Sequence, residues 1–311
     1  MSKVKFGIRL PAFPLNDSRA GEFRAEILNY LTILDGVFDS VWVADHFVPW
    51  YEPQDPLTDT LECWTTLAYL AGKFSSYKFG SIVMSQSYRN PALLAKMGAT
   101  LQGLSDGRFI LGLGAGWKQD EYLAYGYDFP TTATRIHQMG EAVQIIKAMW
   151  TESKADFQGS YYHIENAICE PKPDPVPPIL IGGGGKKITL RYVAQYADWW
   201  NFPGGTAENY NGLLEALRGH CNDVGRDYES IVKTWSIECV AVGYTTEDAV
   251  KIAQANPLYN PETAIIGTPD EVEAKLRRFA NMGVEHFILR FADFPNTGSA
   301  ETFAREVISR F

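Results

Sequence analysis

The stretch that decides the fold runs from residue 77 to residue 114, YKFGSIVMSQSYRNPALLAKMGATLQGLSDGRFILGLG. It opens as a short apolar run with β-branched residues, the signature of a buried strand ending near Met84. Asn90 follows as an N-cap, and Pro91 takes the first helical position, where its missing N–H is harmless. Leu93, Leu94, Met97, Leu101 and Leu104 recur at helical spacing and predict one buried face. Ser105-Asp106-Gly107 breaks that helix, and residues 109–113 return as a second apolar strand. This is a complete βαβ unit.

The same alternation extends in both directions. Further strands are predicted at residues 4–10, 41–44, 178–182, 199–202, 232–242 and 286–290. Helices are predicted at 20–34, 61–73, 133–150, 186–196 and 246–254, and Thr268 caps another that Gly283 stops. The strands are near-continuous apolar runs, as a parallel sheet covered on both faces requires. Eight such units in a chain of 311 residues favour an α/β fold of the (β/α)8 TIM-barrel type over a doubly wound sheet. Residues 151–178 are less regular and end in DPVPP, so a small inserted hairpin over the barrel mouth is expected. No linker divides the chain, and residues 1–311 read as a single domain.

Apolar residues make up 46% and charged residues 21% of the chain, the profile of a globular protein with a sizeable core. The net charge of -9 argues against nucleic-acid or anionic-membrane partners. No run has signal-peptide or membrane-spanning character, so a cytoplasmic location is expected. Cys63, Cys169, Cys221 and Cys239 are far apart, which points to neither a zinc cluster nor a disulfide framework.

In a barrel the chemistry sits at the C-terminal ends of the strands. There VWVADHFVPW, residues 41–50, places Asp45 beside His46 at the end of a buried run. Neighbours on an extended chain point to opposite sides, so at most one of the two faces the barrel axis. Asp45 as a turn cap and His46 as a packed residue against Phe47 and Trp50 is the plain alternative. A metal site is disfavoured because no second ligand falls at suitable spacing. Residues 81–85, SIVMS, carry almost no signal alone. Residues 112–117, GLGAGW, miss the dinucleotide spacing, and their glycines read as permitting close backbone approach to a ligand. Residues 181–187, IGGGGKK, join a strand to a helix, where free N–H groups and absent side chains suit a phosphate better than a loose surface loop. His137, His163, His220 and His286 receive no role.

Together these segments resemble the bacterial-luciferase-like superfamily of flavin and deazaflavin oxidoreductases, over nearly the whole chain. The carriers are VADHFVPW, YRNPALLAKMGATLQGLSDGRFILGLGAGW, PPILIGGGGKK and IGTPDEV. The first looks most like the branch that uses the deazaflavin coenzyme F420, including its sugar-phosphate dehydrogenases. The resemblance implies a cofactor ring at the strand C-termini, supported after Ser81 by a non-prolyl cis peptide that aligns with Ile82-Val83, with Gly114 alongside. Gly183, Gly184 and Gly185 would hold the cofactor phosphate, with Lys186, Lys187 and Arg191 near its tail. Asp45 would contact the ring or its linker, His46 would act as acid/base, and Trp50 would flank the substrate. Trp50, Tyr51 and Trp117 would wall the pocket against water. Trp117 stands where the sugar-phosphate dehydrogenases carry a glutamate, which implies a more apolar pocket; Glu121 lies one helical turn further on. The implied activity is hydride transfer between F420 and a small organic substrate in a homodimer. An FMN-dependent monooxygenase is the nearest alternative. A non-catalytic cofactor-binding protein is a more distant one, since storage needs no acid/base group.

Overall fold

A computed structural model describes residues 4–50, 55 and 57–311 of the chain. In chain order its strands are β1 (Lys5–Arg9), β2 (Ser40–Val43), β3 (Lys78–Ser81), β4 (Met84–Ser85), β5 (Phe109–Gly114), β6 (Ala155–Gln158), β7 (His163–Ala167), β8 (Ile179–Gly182), β9 (Trp199–Pro203), β10 (Val232–Val242), β11 (Ile265–Gly267) and β12 (His286–Phe291). The helices are α1 (Ala20–Ile33), α2 (Cys63–Lys73), α3 (Pro91–Leu104), α4 (Gln119–Ala124), α5 (Thr132–Thr151), α6 (Thr189–Tyr196), α7 (Ala207–Val224), α8 (Thr246–Gln254), α9 (Pro269–Ala280) and α10 (Gly298–Glu306).

Strands β1, β2, β3, β5, β8, β9, β10 and β12 pair in parallel in that order, and β12 returns to β1 through Lys5↔His286 and Ile8↔Leu289. The result is a closed (β/α)8 barrel. Its interior is filled by inward-facing side chains, with Trp42, Ile82, Ile110, Leu180 and Ile288 packed together. Two glycines make room for the Trp42 indole. A Cβ on Gly80 would lie 2.4 Å from its ring, and one on Gly7 would lie 2.6 Å from its Nε1. The larger apolar cluster fills the layer between the strands and the outer helices.

Helix starts follow the capping rules. The Asn90 carboxamide accepts from the N–H groups of Ala92 and Leu93 at 2.9 and 3.4 Å, and Thr268 and Glu271 form a reciprocal capping box. The predicted buried face of α3 needs correction. Leu94 and Leu101 are buried, whereas Leu93 and Leu104 are 55% and 76% exposed. The helix instead turns its small residues inward, and a Cβ on Gly98 would lie 2.8 Å from the Trp150 ring of α5. Close approach through Ala95, Gly98 and Ala99 rotates the larger leucines at 93 and 104 out to solvent.

The insertion forms the antiparallel hairpin β6–β7. Glu141 of α5 accepts from the N–H groups of Ser160, Tyr161 and Tyr162 at 2.7, 2.9 and 3.0 Å, tying the turn to that helix. The hairpin therefore lies along α5, contrary to the expected cover over the mouth. It reaches the rim where the Tyr162 hydroxyl donates to the Gln86 side-chain oxygen Oε1 at 2.8 Å. Among the described residues no helix is long and apolar enough to cross a membrane.

Candidate active site

The C-terminal strand ends surround a cleft of about 540 Å³. Asp45 and His46, just beyond β2, both line the cleft but meet different partners. The Asp45 carboxylate accepts from the Ser85 N–H at 3.0 Å and pairs with Arg89 through two contacts of 2.9 and 3.0 Å. Arg89 also meets Glu62, the N-cap of α2. Asp45 lines the cleft, but its oxygens are engaged with the β4 backbone and Arg89.

His46 has a different setting. Its Nδ1 lies 2.7 Å from Oε2 of Glu121, on α4. Its ring stacks on Trp50 with centroids 4.5 Å apart and meets the edge of Trp117 at 5.6 Å. Trp50 packs in turn against Phe13 and lies beneath the Arg290 guanidinium. Trp117 is 61% exposed at the rim. Tyr51 lies outside the described residues.

The wall opposite is built from backbone. The Ile82–Val83 peptide is cis, at the place where the resemblance sets it, and the chain rejoins β5 through β4. Ser81 belongs to the barrel wall, since its hydroxyl accepts from the Gly112 N–H and donates to the Gly112 carbonyl at 3.0 and 2.8 Å. Val83 sits against two glycines. A Cβ would lie 2.6 Å from its methyl group at Gly114 and 3.0 Å at Gly182. Beyond β8, Gly183 adopts φ 128 and donates its N–H to Asn201. Gly183 and Gly185 line the cleft, whereas Gly184 turns against the Phe202 ring. The N–H groups of Gly184 and Gly185 have no acceptor among the described residues. Lys186, Lys187 and Arg191 are not among the cleft's lining residues.

The sequence reading gave Glu121 no partner and did not single out Glu238. Glu121 is buried at 1% exposure, and its Oε1 accepts from the N–H groups of Phe47 and Val48 at 2.9 and 3.2 Å. Glu238 of β10 meets Arg9 of β1 and, at 3.3 Å, Arg290 of β12. Burial pushes the Glu238 carboxyl upward, but the two guanidinium groups outweigh it and hold the acid below the usual carboxylate range. The signal was present in the sequence as charged residues set within largely apolar strands. By contrast, His286 sits at the opposite end of the barrel, where burial pulls it down to about 4 and the Ser40 hydroxyl lies 2.8 Å from its Nε2.

Residues 4–262 match the model of the luciferase-like monooxygenase family. An F420-dependent glucose-6-phosphate dehydrogenase of Kineococcus radiotolerans is 35% identical over 203 residues, a match spanning 64% of this chain and 59% of that protein. Its counterpart from Amycolatopsis mediterranei is 25% identical over 302 residues, spanning 88% of this chain and 90% of that one. Among solved structures, an F420-dependent secondary alcohol dehydrogenase in complex with an F420-acetone adduct superposes with a TM-score of 0.82 at 20% identity, covering 98% of each chain. At that identity the likeness speaks for the fold.

Proposed function

The chain belongs to the luciferase-like monooxygenase family, and within it we propose an F420-dependent oxidoreductase that moves a hydride between the deazaflavin and a small organic substrate. The observation that carries this reading is a single cleft in which the Ile82–Val83 wall and the bare backbone of Gly183 and Gly185 face the His46–Trp50 pair. The relatives named as F420-dependent dehydrogenases support the choice of cofactor.

The residues present fit such a group. A flat ring needs a wall without projecting side chains, and Val83, seated against Gly114 and Gly182, leaves one. A phosphate tail needs donors, and the unpaired N–H groups of Gly184 and Gly185 lie just before α6. Bound there, F420 supplies two-electron hydride chemistry. His46 carries the accompanying proton, as an imidazole within reach of the cleft can. Glu238 is a weaker proton acceptor, because Arg9 and Arg290 hold its carboxyl below the usual carboxylate range. Asp45 shapes the site by fixing Ser85 and Arg89. Trp50 and Trp117 exclude water and favour a more apolar substrate than a sugar phosphate. We place the protein in the cytoplasm as a homodimer of single-domain chains, without nucleic-acid or membrane partners, in keeping with its net charge of -9.

Titration of the purified protein with F420 and with FMN, read by fluorescence, tests the assignment. Tight binding of F420 with much weaker FMN binding is expected. A preference for FMN would move the chain to the oxygen-using monooxygenases and leave His46 without its role.

A further inference from the structure

We infer that Glu121 is a positioning residue that holds His46 in the Nδ1–H tautomer, so that Nε2 is the basic nitrogen of the site. The inference rests on His46 being the proton carrier proposed above, and it concerns the state in which that carrier waits.

The surroundings of the Glu121 carboxylate define what each oxygen can do. Oε1 faces two peptide N–H groups, those of Phe47 and Val48, at 2.9 and 3.2 Å. Peptide N–H groups can only donate, so Oε1 can only accept. Oε2 faces the His46 Nδ1 at 2.7 Å and the Tyr88 hydroxyl at 3.4 Å. A carboxylate engaged in this way asks Nδ1 for a proton, which leaves the lone pair on Nε2. Two further acids lie near His46, and both are engaged elsewhere: Glu238 with Arg9 and Arg290, and Asp45 with Arg89 and Ser85. When Nε2 takes a substrate proton the ring becomes an imidazolium, and Glu121 already sits against its Nδ1–H. That is the arrangement in which a third group orients and stabilises a catalytic base.

The mounting supports precision. Glu121 lies in the first turn of α4, where the adjacent Tyr122 is also buried. The Tyr122 hydroxyl meets that of Ser85, beside the Ile82–Val83 wall. The short helix is thus pinned both to the His46 loop and to the proposed cofactor wall, and Trp50 stacking fixes the ring plane.

A purely structural role, in which Glu121 only ties down the 46–48 backbone, is separable by Glu121→Gln. The amide oxygen must stay with the two peptide N–H groups, since the amide NH2 cannot accept from them. The NH2 therefore faces Nδ1 and donates, forcing the proton onto Nε2. The backbone anchor is kept while the tautomer reverses.

The experiment is long-range 1H–15N NMR of the 15N-labelled protein without cofactor, with His46 assigned by the signals lost in His46→Gln. The wild type should show His46 as the Nδ1–H form. Glu121→Gln should show the Nε2–H form with an unchanged thermal midpoint, and Glu121→Asp should regain part of the Nδ1–H signal. An Nε2–H ring in the wild type overturns the inference without any variant, as does a Glu121→Gln spectrum with the tautomer unmoved. Because no cofactor is added, failure here is distinct from failure of the F420 titration.

Discussion

Replacing Gly114 by alanine tests the link between the barrel wall and the cofactor assignment. The added methyl would lie 2.6 Å from the Val83 Cγ2 but 3.8 Å from its Cβ, an ordinary contact. Gly114 is not among the glycines at positive φ, so the backbone itself tolerates alanine. The conflict is with one methyl group. Forcing a methyl into a packed site costs about 1–3 kcal/mol, which lowers the melting temperature by about 1.5 °C for each kcal/mol in a chain of 311 residues. Displacing Val83 also moves the wall that we assign to the ring, so F420 binding should weaken by about tenfold, or 1.4 kcal/mol. Val83→Ala removes the offending Cγ2 and should restore most of the stability in the double variant, giving a coupling of about 1–2 kcal/mol in a double-mutant cycle. Gly103→Ala is the control. That helical glycine has nothing within 4 Å of the added Cβ, so the change should stabilise by about 0.5–1 kcal/mol. Calorimetry and fluorescence titration read all four proteins. A Gly114→Ala protein as stable as the wild type, or one that Val83→Ala fails to rescue, would refute the packing argument.

Other outcomes are equally specific. His46→Ala should keep F420 affinity while lowering kcat by about 10²–10⁴-fold, measured by absorbance of the deazaflavin; unchanged turnover would remove the acid/base role. His286, held at about 4 by burial, is protonated in the unfolded chain over a window where the folded chain leaves it neutral. Stability should therefore rise with pH from about 4 to 6.5, by on the order of 3 kcal/mol from this group, and urea melts of His286→Gln should show a flatter profile in that window. Arg9→Met should destabilise by about 1–3 kcal/mol, less than the loss of a fully buried pair, because the Glu238 side chain is 35% exposed. Part of that loss should disappear on acidification, since a carboxylate held low by its partners contributes stability that fades as pH falls through its folded pKa. Leu104→Lys should change stability by less than about 0.5 kcal/mol, because Leu104 is 76% exposed.

The barrel was legible because its strands are apolar runs at regular spacing, and the Asp45–His46 pair because strand ends locate barrel chemistry. Elements without such signals were harder to see. α7 had a cap at Thr206, a left-handed stop at Gly225 and buried positions at Tyr210, Leu213, Leu214 and Leu217, but its polar outer face diluted the pattern. β11 spans three residues, too few for any period. Glu121 was visible as an acid one turn beyond Trp117. Its partnership with His46, 75 positions away, depends on where the barrel sets down a six-residue helix, which no local pattern encodes.

The Arg9–Glu238–Arg290 cluster lies between these cases. A lone charge inside a buried strand is expensive unless a partner meets it, so Arg9, Glu238 and Arg290 each imply an opposite charge on a nearby strand. Barrel closure supplies the neighbours. β12 lies between β1 and β10, with Ile8↔Leu289 on one side and Ile237↔Leu289 on the other. One residue further along, where the β10 register is broken between Ile237 and Val240, Glu238 meets both Arg9 and Arg290. The pairing of the charges thus follows once closure and register are known. The sequence shows that each needs a partner, and the eight-stranded geometry decides which one.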